Sequence, residues 1–227
     1  MIKFDADDFD SNKSEFIKKI LDSLSLPCSS HNYKIRFKQE KFYIECEKER
    51  FETTFSIDEL MHENDKIYMK IFPIKNSTIL DCTAGLGRDG ILLSKLGYKV
   101  TMIEKNPILI LMLNNYLSRM KNIKANLLYG DSLSYIRIAK KKFDYIYIDF
   151  MFEKKNNAKP SKYDLFLRSI NYNENNKLEF VKEMINYCKR RIIIKEPVKS
   201  QSEITDYDFE IKTKLIRYKI FNGKLSK

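Results

Sequence analysis

From Thr78 onward the chain alternates short apolar runs with helical ones, and nothing else in it restricts the fold as much. Ile79–Cys82, Lys99–Glu104, Ala125–Tyr129, Asp144–Asp149 and Arg191–Lys195 read as strands. Between them, Arg88–Leu96, Pro107–Met120 and Lys177–Cys188 have helical character, the second opened by Pro at its first turn. Strand–helix–strand connections make neighbouring strands parallel, so the expectation is an α/β protein with a doubly wound sheet. Two strand-like runs at the end, Phe209–Lys214 and Ile216–Phe221, predict an antiparallel hairpin on one edge. Upstream, Ser14–Leu24 reads as a short helix, Tyr33–Phe37 and Lys41–Cys46 alternate like half-buried strands, and a further strand or turn covers Phe51–Phe55. A helical stretch near Asp58–Phe72 then ends at Pro73. The expected organisation is a small α+β accessory domain over 1–73, followed by the main domain over 74–227.

Charge divides at nearly the same place. Residues 1–75 carry a net −2 and residues 76–227 a net +13, within a total of +11. A basic domain most often meets nucleic acid; lysines that merely solvate a surface are the alternative. No run approaches the roughly 20 apolar residues of a membrane helix. The opening Met1–Asp8 has no basic or apolar segment of a secretory signal. Cys28, Cys46, Cys82 and Cys188 form no C-x-x-C pair, and His31 and His62 are the only histidines. The expectation is a cytoplasmic protein without a metal site or disulfide framework.

Glycine is scarce, with six in 227 residues, yet Gly85, Gly87 and Gly90 fall within six positions of one another. They follow the first strand of the alternating region and formally satisfy G-x-G-x-x-G, which lets a backbone turn tightly around a ligand. A dinucleotide is one candidate. However, Asp81 closes the strand, and a carboxylate there repels phosphate while suiting a cationic amino group. Glu104 closes the second strand, where a carboxylate accepts hydrogen bonds from a ribose diol. An acid for an ammonium and an acid for a ribose, with no phosphate needed, describe S-adenosylmethionine. Asp131, after the third strand, is placed either to accept from an adenine amine or to cap the next helix, and both roles are compatible. Tyr147-Ile-Asp149-Phe150-Met151-Phe152 ends the fourth strand with a carboxylate and aromatic rings. Such a group receives a planar, amino-bearing base, unless the rings simply enter the core. Lys154, Lys155 and Lys159 in the following loop are placed to steer a phosphate backbone, or to be solvated.

Asp81-Cys-Thr-Ala-Gly-Leu-Gly-Arg-Asp, Met102-Ile-Glu-Lys-Asn-Pro, Tyr147-Ile-Asp-Phe-Met-Phe-Glu-Lys-Lys and Ile194-Lys-Glu-Pro occur in this order. From about residue 78 to the C-terminus the chain resembles the ribosomal RNA small-subunit methyltransferase J family. The resemblance implies a class I, Rossmann-like methyltransferase fold. It also implies methyl transfer from S-adenosylmethionine to the exocyclic N2 of a guanine in bacterial 16S rRNA, with the rRNA or the 30S subunit as partner. It places cofactor contacts on Arg88, Asp89, Glu104, Lys105, Asp131, Ser132 and Asp149. Asp81, Gly85 and Gly87 join them from the reading above. Asp149, Phe150 and Phe152 are the expected catalytic group, with Asp149 and the Phe150 carbonyl accepting from the amine. Lys195 joins the loop lysines as an expected RNA contact. The chain departs from the family where Phe150 replaces a proline, where Cys82 replaces an alanine, and where Glu196 replaces the arginine of Lys-Arg-Pro. It also lacks the family's basic, glycine-rich segment before the first strand.

Overall fold

The computed structural model describes residues 2–5, 33–38, 41–46, 49–52, 66–120, 123–150, 176–200 and 202–223. Two compact units emerge, one comprising Met1–Thr54, Asn106–Lys121 and Ala158–Tyr172, the other Phe55–Lys105, Asn122–Asn157 and Asn173–Lys227.

The first unit holds a four-stranded sheet. Strand β1 (Ile2–Asp5) runs parallel to β2 (Tyr33–Lys38), and β3 (Lys41–Cys46) and β4 (Glu49–Glu52) follow as antiparallel neighbours. Tyr43, Ile44 and Phe51 are buried, and the Arg50 guanidinium lies 3.8 Å from the centre of the Tyr43 ring. Helix α2 (Pro107–Ser118; α1, Arg88–Lys95, precedes it in the second unit) packs against β3. Its start is fixed by Asn106, whose Oδ1 accepts from the N–H groups of Ile108 and Leu109, and by Pro107 at a position that needs no donor. Strand β1 was not among the predicted elements, and the helix expected over Ser14–Leu24 lies outside the described residues.

The second unit is built from β5 (Thr78–Asp81), α1 (Arg88–Lys95), β6 (Lys99–Glu104), β7 (Ala125–Tyr129), α3 (Ser132–Ala139) and β8 (Phe143–Ile148). Helix α4 (Lys177–Met184) tightens into a 3₁₀ turn at Ile185–Tyr187, and β9 (Cys188–Pro197), β10 (Phe209–Lys212) and β11 (Ile216–Asn222) complete it. Cys188, expected to end the helix, therefore opens β9. The seven strands lie in the order β10-β11-β9-β8-β5-β6-β7, with β5 to β9 parallel and β11 antiparallel to both of its neighbours, β9 and β10, as a class I methyltransferase sheet requires. Successive strands move outward through β6 and β7, and then the chain returns to β8 on the other side of β5. Ligands of such sheets bind where the winding reverses, at the carboxyl ends of the strands.

Both faces of β8 are covered. Ile146 and Ile148 face the cluster that contains Leu80, Phe180 and Met184. Tyr145 and Tyr147 project to the other side, where Phe72 meets their rings at 5.3 and 6.1 Å. Phe72 follows a helical segment over 66–71 whose Tyr68 and Ile71 are also buried, and Tyr98 donates its hydroxyl to the Phe72 carbonyl. These contacts draw the residues before Pro73 into the second unit, so the units do not follow a cut at 73/74. Among the described residues no helix is long and apolar enough to cross a membrane, and no group of three or more His, Cys, Asp or Glu could hold a metal ion.

Candidate active site

The glycine loop links β5 to α1. Gly85 and Gly87 have φ of +55° and +79°, where an L side chain is strained, and Gly87 caps α1. The Gly85 N–H donates to Glu104 Oε2 at 2.7 Å, fastening the loop to the carboxyl end of β6. Gly90 serves closeness instead of curvature. A Cβ there would lie 2.4 Å from Met102 Sδ and 3.0 Å from Asp81 Oδ2, so α1 packs directly on β5 and β6.

Asp81 and Glu104 are both buried at their strand ends. Burial pushes the Asp81 carboxyl well above the usual carboxylate range, and neighbouring Asp89, Asp149 and Glu104 push it the same way, while the Thr83 N–H opposes them. Among the described residues no cation pairs with Asp81. Buried carboxylates beside a glycine turn suit a ligand that carries positive charge and ribose hydroxyls, so the donor set fits S-adenosylmethionine. Asp131 sits at the end of β7, accepts from the Ser134 N–H at 2.7 Å and caps α3, with Ser132 buried beside it. Arg88 is exposed at the start of α1, and Lys105 is half-buried next to Glu104.

Asp89 and Asp149 share one cation. Lys195 Nζ lies 2.6 Å from Asp89 Oδ2 and 2.9 Å from Asp149 Oδ2. The Tyr68 and Tyr147 hydroxyls also donate to Asp89, at 2.5 and 2.9 Å. Burial alone would raise the Asp89 carboxyl, but the Lys195 charge and these donors outweigh it and hold it below the usual range. Asp149 goes the other way, raised by burial and by Asp89 against the pull of Lys195. Burial opposes the charge on Lys195, yet its two carboxylates dominate and raise its ammonium above the ordinary lysine value. The Asp149 main chain is anchored by its N–H, which donates to Thr83 Oγ1 at 2.7 Å.

Several expected site residues are thus brought together: Asp81, Gly85, Gly87, Asp89, Glu104 and Asp149 surround one strand-end crevice. Two expectations need correction. The Phe150 ring is 4% exposed and packs edge-on against Phe180 in the core, leaving only its main chain for a substrate. Lys195 is held between two carboxylates inside the site, where it cannot also grip a phosphate backbone. Phe152, Lys154, Lys155 and Lys159 lie outside the described residues. Sequence reasoning missed Tyr68, Thr83 and Tyr147. Thr83 and Tyr147 flank motif residues already in view, but Tyr68 comes from outside the motifs and left no local signal.

Glu196, the charge reversal in the family pattern, is fully buried. Its Oε1 receives Arg217 Nε at 2.6 Å and Lys219 Nζ at 2.7 Å, both from the adjacent β11.

Comparison with known proteins agrees with this architecture. Residues 37–223 match the family model described as "Putative SAM-dependent methyltransferase". A ribosomal RNA small subunit methyltransferase J from Buchnera aphidicola is 32% identical over 173 residues, covering 70% of this chain and 69% of the relative. Its counterpart from Coxiella burnetii is 37% identical over 127 residues, covering 53% of this chain and 50% of the relative. The chain thus spans about half the length of the first curated relatives it matches. A crystal structure of a SAM-dependent methyltransferase from Neisseria gonorrhoeae superimposes with a TM-score of 0.71 at 16% identity, over 100% of this chain and 98% of the other, and supports the fold. On the family model and the Buchnera relative, the chain belongs to the SAM-dependent methyltransferases and, among them, to the ribosomal RNA small subunit methyltransferase J family.

Proposed function

We propose that this protein methylates the exocyclic N2 of a guanine in 16S rRNA, using S-adenosylmethionine. The observation that carries the reading is the position of Asp149. It lies at the carboxyl end of β8, beside the winding reversal at β5, with its backbone tied to Thr83 and its carboxylate to Lys195. Asp81, Glu104 and Asp131 with Ser132 would hold the cofactor, joined by Arg88 and Lys105 on the family pattern. S-adenosylmethionine supplies an electrophilic methyl group carried on a sulfonium.

The guanine amine is a poor nucleophile because its lone pair is delocalised into the ring. Asp149 and the Phe150 main-chain carbonyl accept its two N–H hydrogens, which favours a pyramidal nitrogen with its lone pair directed into the crevice. Lys195 keeps the Asp149 carboxylate oriented and ionised for this role. Orientation and fixed charge provide the catalysis, and the proton released by the amine passes to an Asp149 oxygen and on to water. The curated relatives are named for this class of substrate.

The test is methyl transfer to 16S rRNA or 30S particles that lack the modification, with the product mapped by mass spectrometry. A single methyl on one guanine N2 is expected. Labelling of protein only, or of another base atom, overturns the reading.

A further inference from the structure

Strands β5 to β9 each begin beside a cation, whereas β10, which runs the same way, follows Asp206 and Asp208. Lys75 lies three residues ahead of β5, Lys99 is the first residue of β6, and Lys124 immediately precedes β7. The run Lys140-Lys141-Lys142 precedes β8, and Lys189-Arg190 lies in the first residues of β9. Because β5 to β9 are parallel, these side chains share one edge of the sheet, opposite the crevice where Asp81, Glu104 and Asp149 stand. All of them are exposed except Lys189, which is half-buried.

Around the starts of β5 to β9 the acid is Asp144, and Asp208 stands at the neighbouring start of β10, where its Oδ2 accepts from the Asn222 N–H at 2.7 Å. Asp144 Oδ2 accepts from the Thr78 N–H at 2.9 Å and from the Thr78 hydroxyl at 2.8 Å. Its Oδ1 faces Lys189 Nζ at 3.9 Å and Arg190 Nε at 3.7 Å. One carboxylate therefore serves two of the cations, Lys141 Nζ also lies 5.0 Å from the centre of the Phe143 ring, and the others face solvent. A favourable helix-end charge accounts for Lys140, the C-cap of α3, but not for cations that open strands. Like charges gathered on one edge repel each other, and a polyanion relieves that repulsion. The backbones that carry them are fixed: Lys99 donates its N–H to Ser77 O, Lys124 to Ser94 Oγ and Lys140 to Ile136 O.

We infer that this edge is a second RNA-docking surface, holding the phosphate backbone of a substrate segment remote from the methylated base. The inference rests on the RNA substrate proposed above and adds how that RNA is gripped. A strand of six residues such as β6 spans about 20 Å. A base in the crevice and phosphates at the far edge therefore belong to different segments of a folded RNA. The protein accordingly prefers a folded domain to a short hairpin that contains the same target base.

The test compares the full chain with the triple variant Lys140→Gln/Lys141→Gln/Lys142→Gln. Affinity for a folded 16S rRNA 3′-domain transcript and for a short target hairpin is measured across a salt series, together with methyl transfer. Each lost phosphate contact lowers the slope of log K against log salt by about 0.7 to 0.9, so the variant loses about two from the slope on the folded RNA. Its KM for that RNA rises about tenfold or more, while kcat and the hairpin KM stay unchanged. An unchanged slope and KM on the folded RNA overturn the inference, as does an equal loss on both RNAs. Tighter binding to phosphatidylglycerol vesicles than to the folded RNA also overturns it. If the wild type binds and methylates the folded RNA and the variant matches it, the docking edge alone fails. If the wild type binds neither RNA, the proposed substrate fails as well.

Discussion

The Lys195 ammonium lies 2.9 Å from the Asp149 carboxylate, and it is the cation that this carboxylate faces inside the site. Asp149 must be ionised to accept from an amine, and its carboxyl is already raised by burial and by Asp89. Turnover therefore falls as pH drops through that raised value. Replacing Lys195 by Met removes the opposing charge and moves the acid limb of the kcat profile upward, by about one to three pH units. Asp149→Asn should lower kcat by about a hundredfold or more at every pH. Titration calorimetry with S-adenosylhomocysteine should show near-normal binding in Lys195→Met. A Lys195→Met profile that coincides with wild type would remove Lys195 from the mechanism.

Asp89 carries a stability prediction. Its carboxyl is held below the usual range, so its contribution is complete above the unfolded-state value of about 3.9 and is lost as pH falls through the folded value. Asp89→Asn removes the charge while leaving Lys195 buried beside Asp149. Urea denaturation at pH 7 should show a loss of about 3 kcal/mol. The difference between variant and wild type should then shrink below about pH 4. A gap that widens toward acid pH contradicts this account.

Gly90→Ala tests the close packing of α1. Alanine favours a helix over glycine by about 1 kcal/mol, but its Cβ collides with the Met102 side chain, itself fully buried. A net loss of about 1–3 kcal/mol is expected from the collision. Shortening Met102 in Gly90→Ala/Met102→Ala should recover part of it beyond what the single variants predict. Strict additivity of the two would show that the helix moves instead.

The parallel direction of the sheet was readable from strand–helix alternation, because parallel strands buried on both faces leave apolar runs such as Tyr145–Ile148. The strand-end acids were readable as well, since a carboxylate that closes an apolar strand breaks its local pattern. Tyr68 was not readable. It meets Asp89 only because the segment before Pro73 folds under β8, and no periodicity encodes such a long-range hydroxyl. The orientation of Phe150 was equally hidden: strand alternation puts its ring next to either a base or the core, and contact with Phe180 decides for the core. Lys195 read as a surface cation because composition reports charge without reporting which charges face inward.

Glu196 couples two strands by charge as well as by register. Arg217 is its register partner, and Lys219 reaches the same oxygen. Replacing Glu196 by Arg alone would crowd three cations into a buried position and should cost well over about 3 kcal/mol, measurable as loss of folded protein. Adding Arg217→Glu should restore much of it. A basic residue at 196 is therefore incompatible with the present β11. The edge of the sheet thus carries a charge lock, in which position 196 tolerates a change of sign only together with β11.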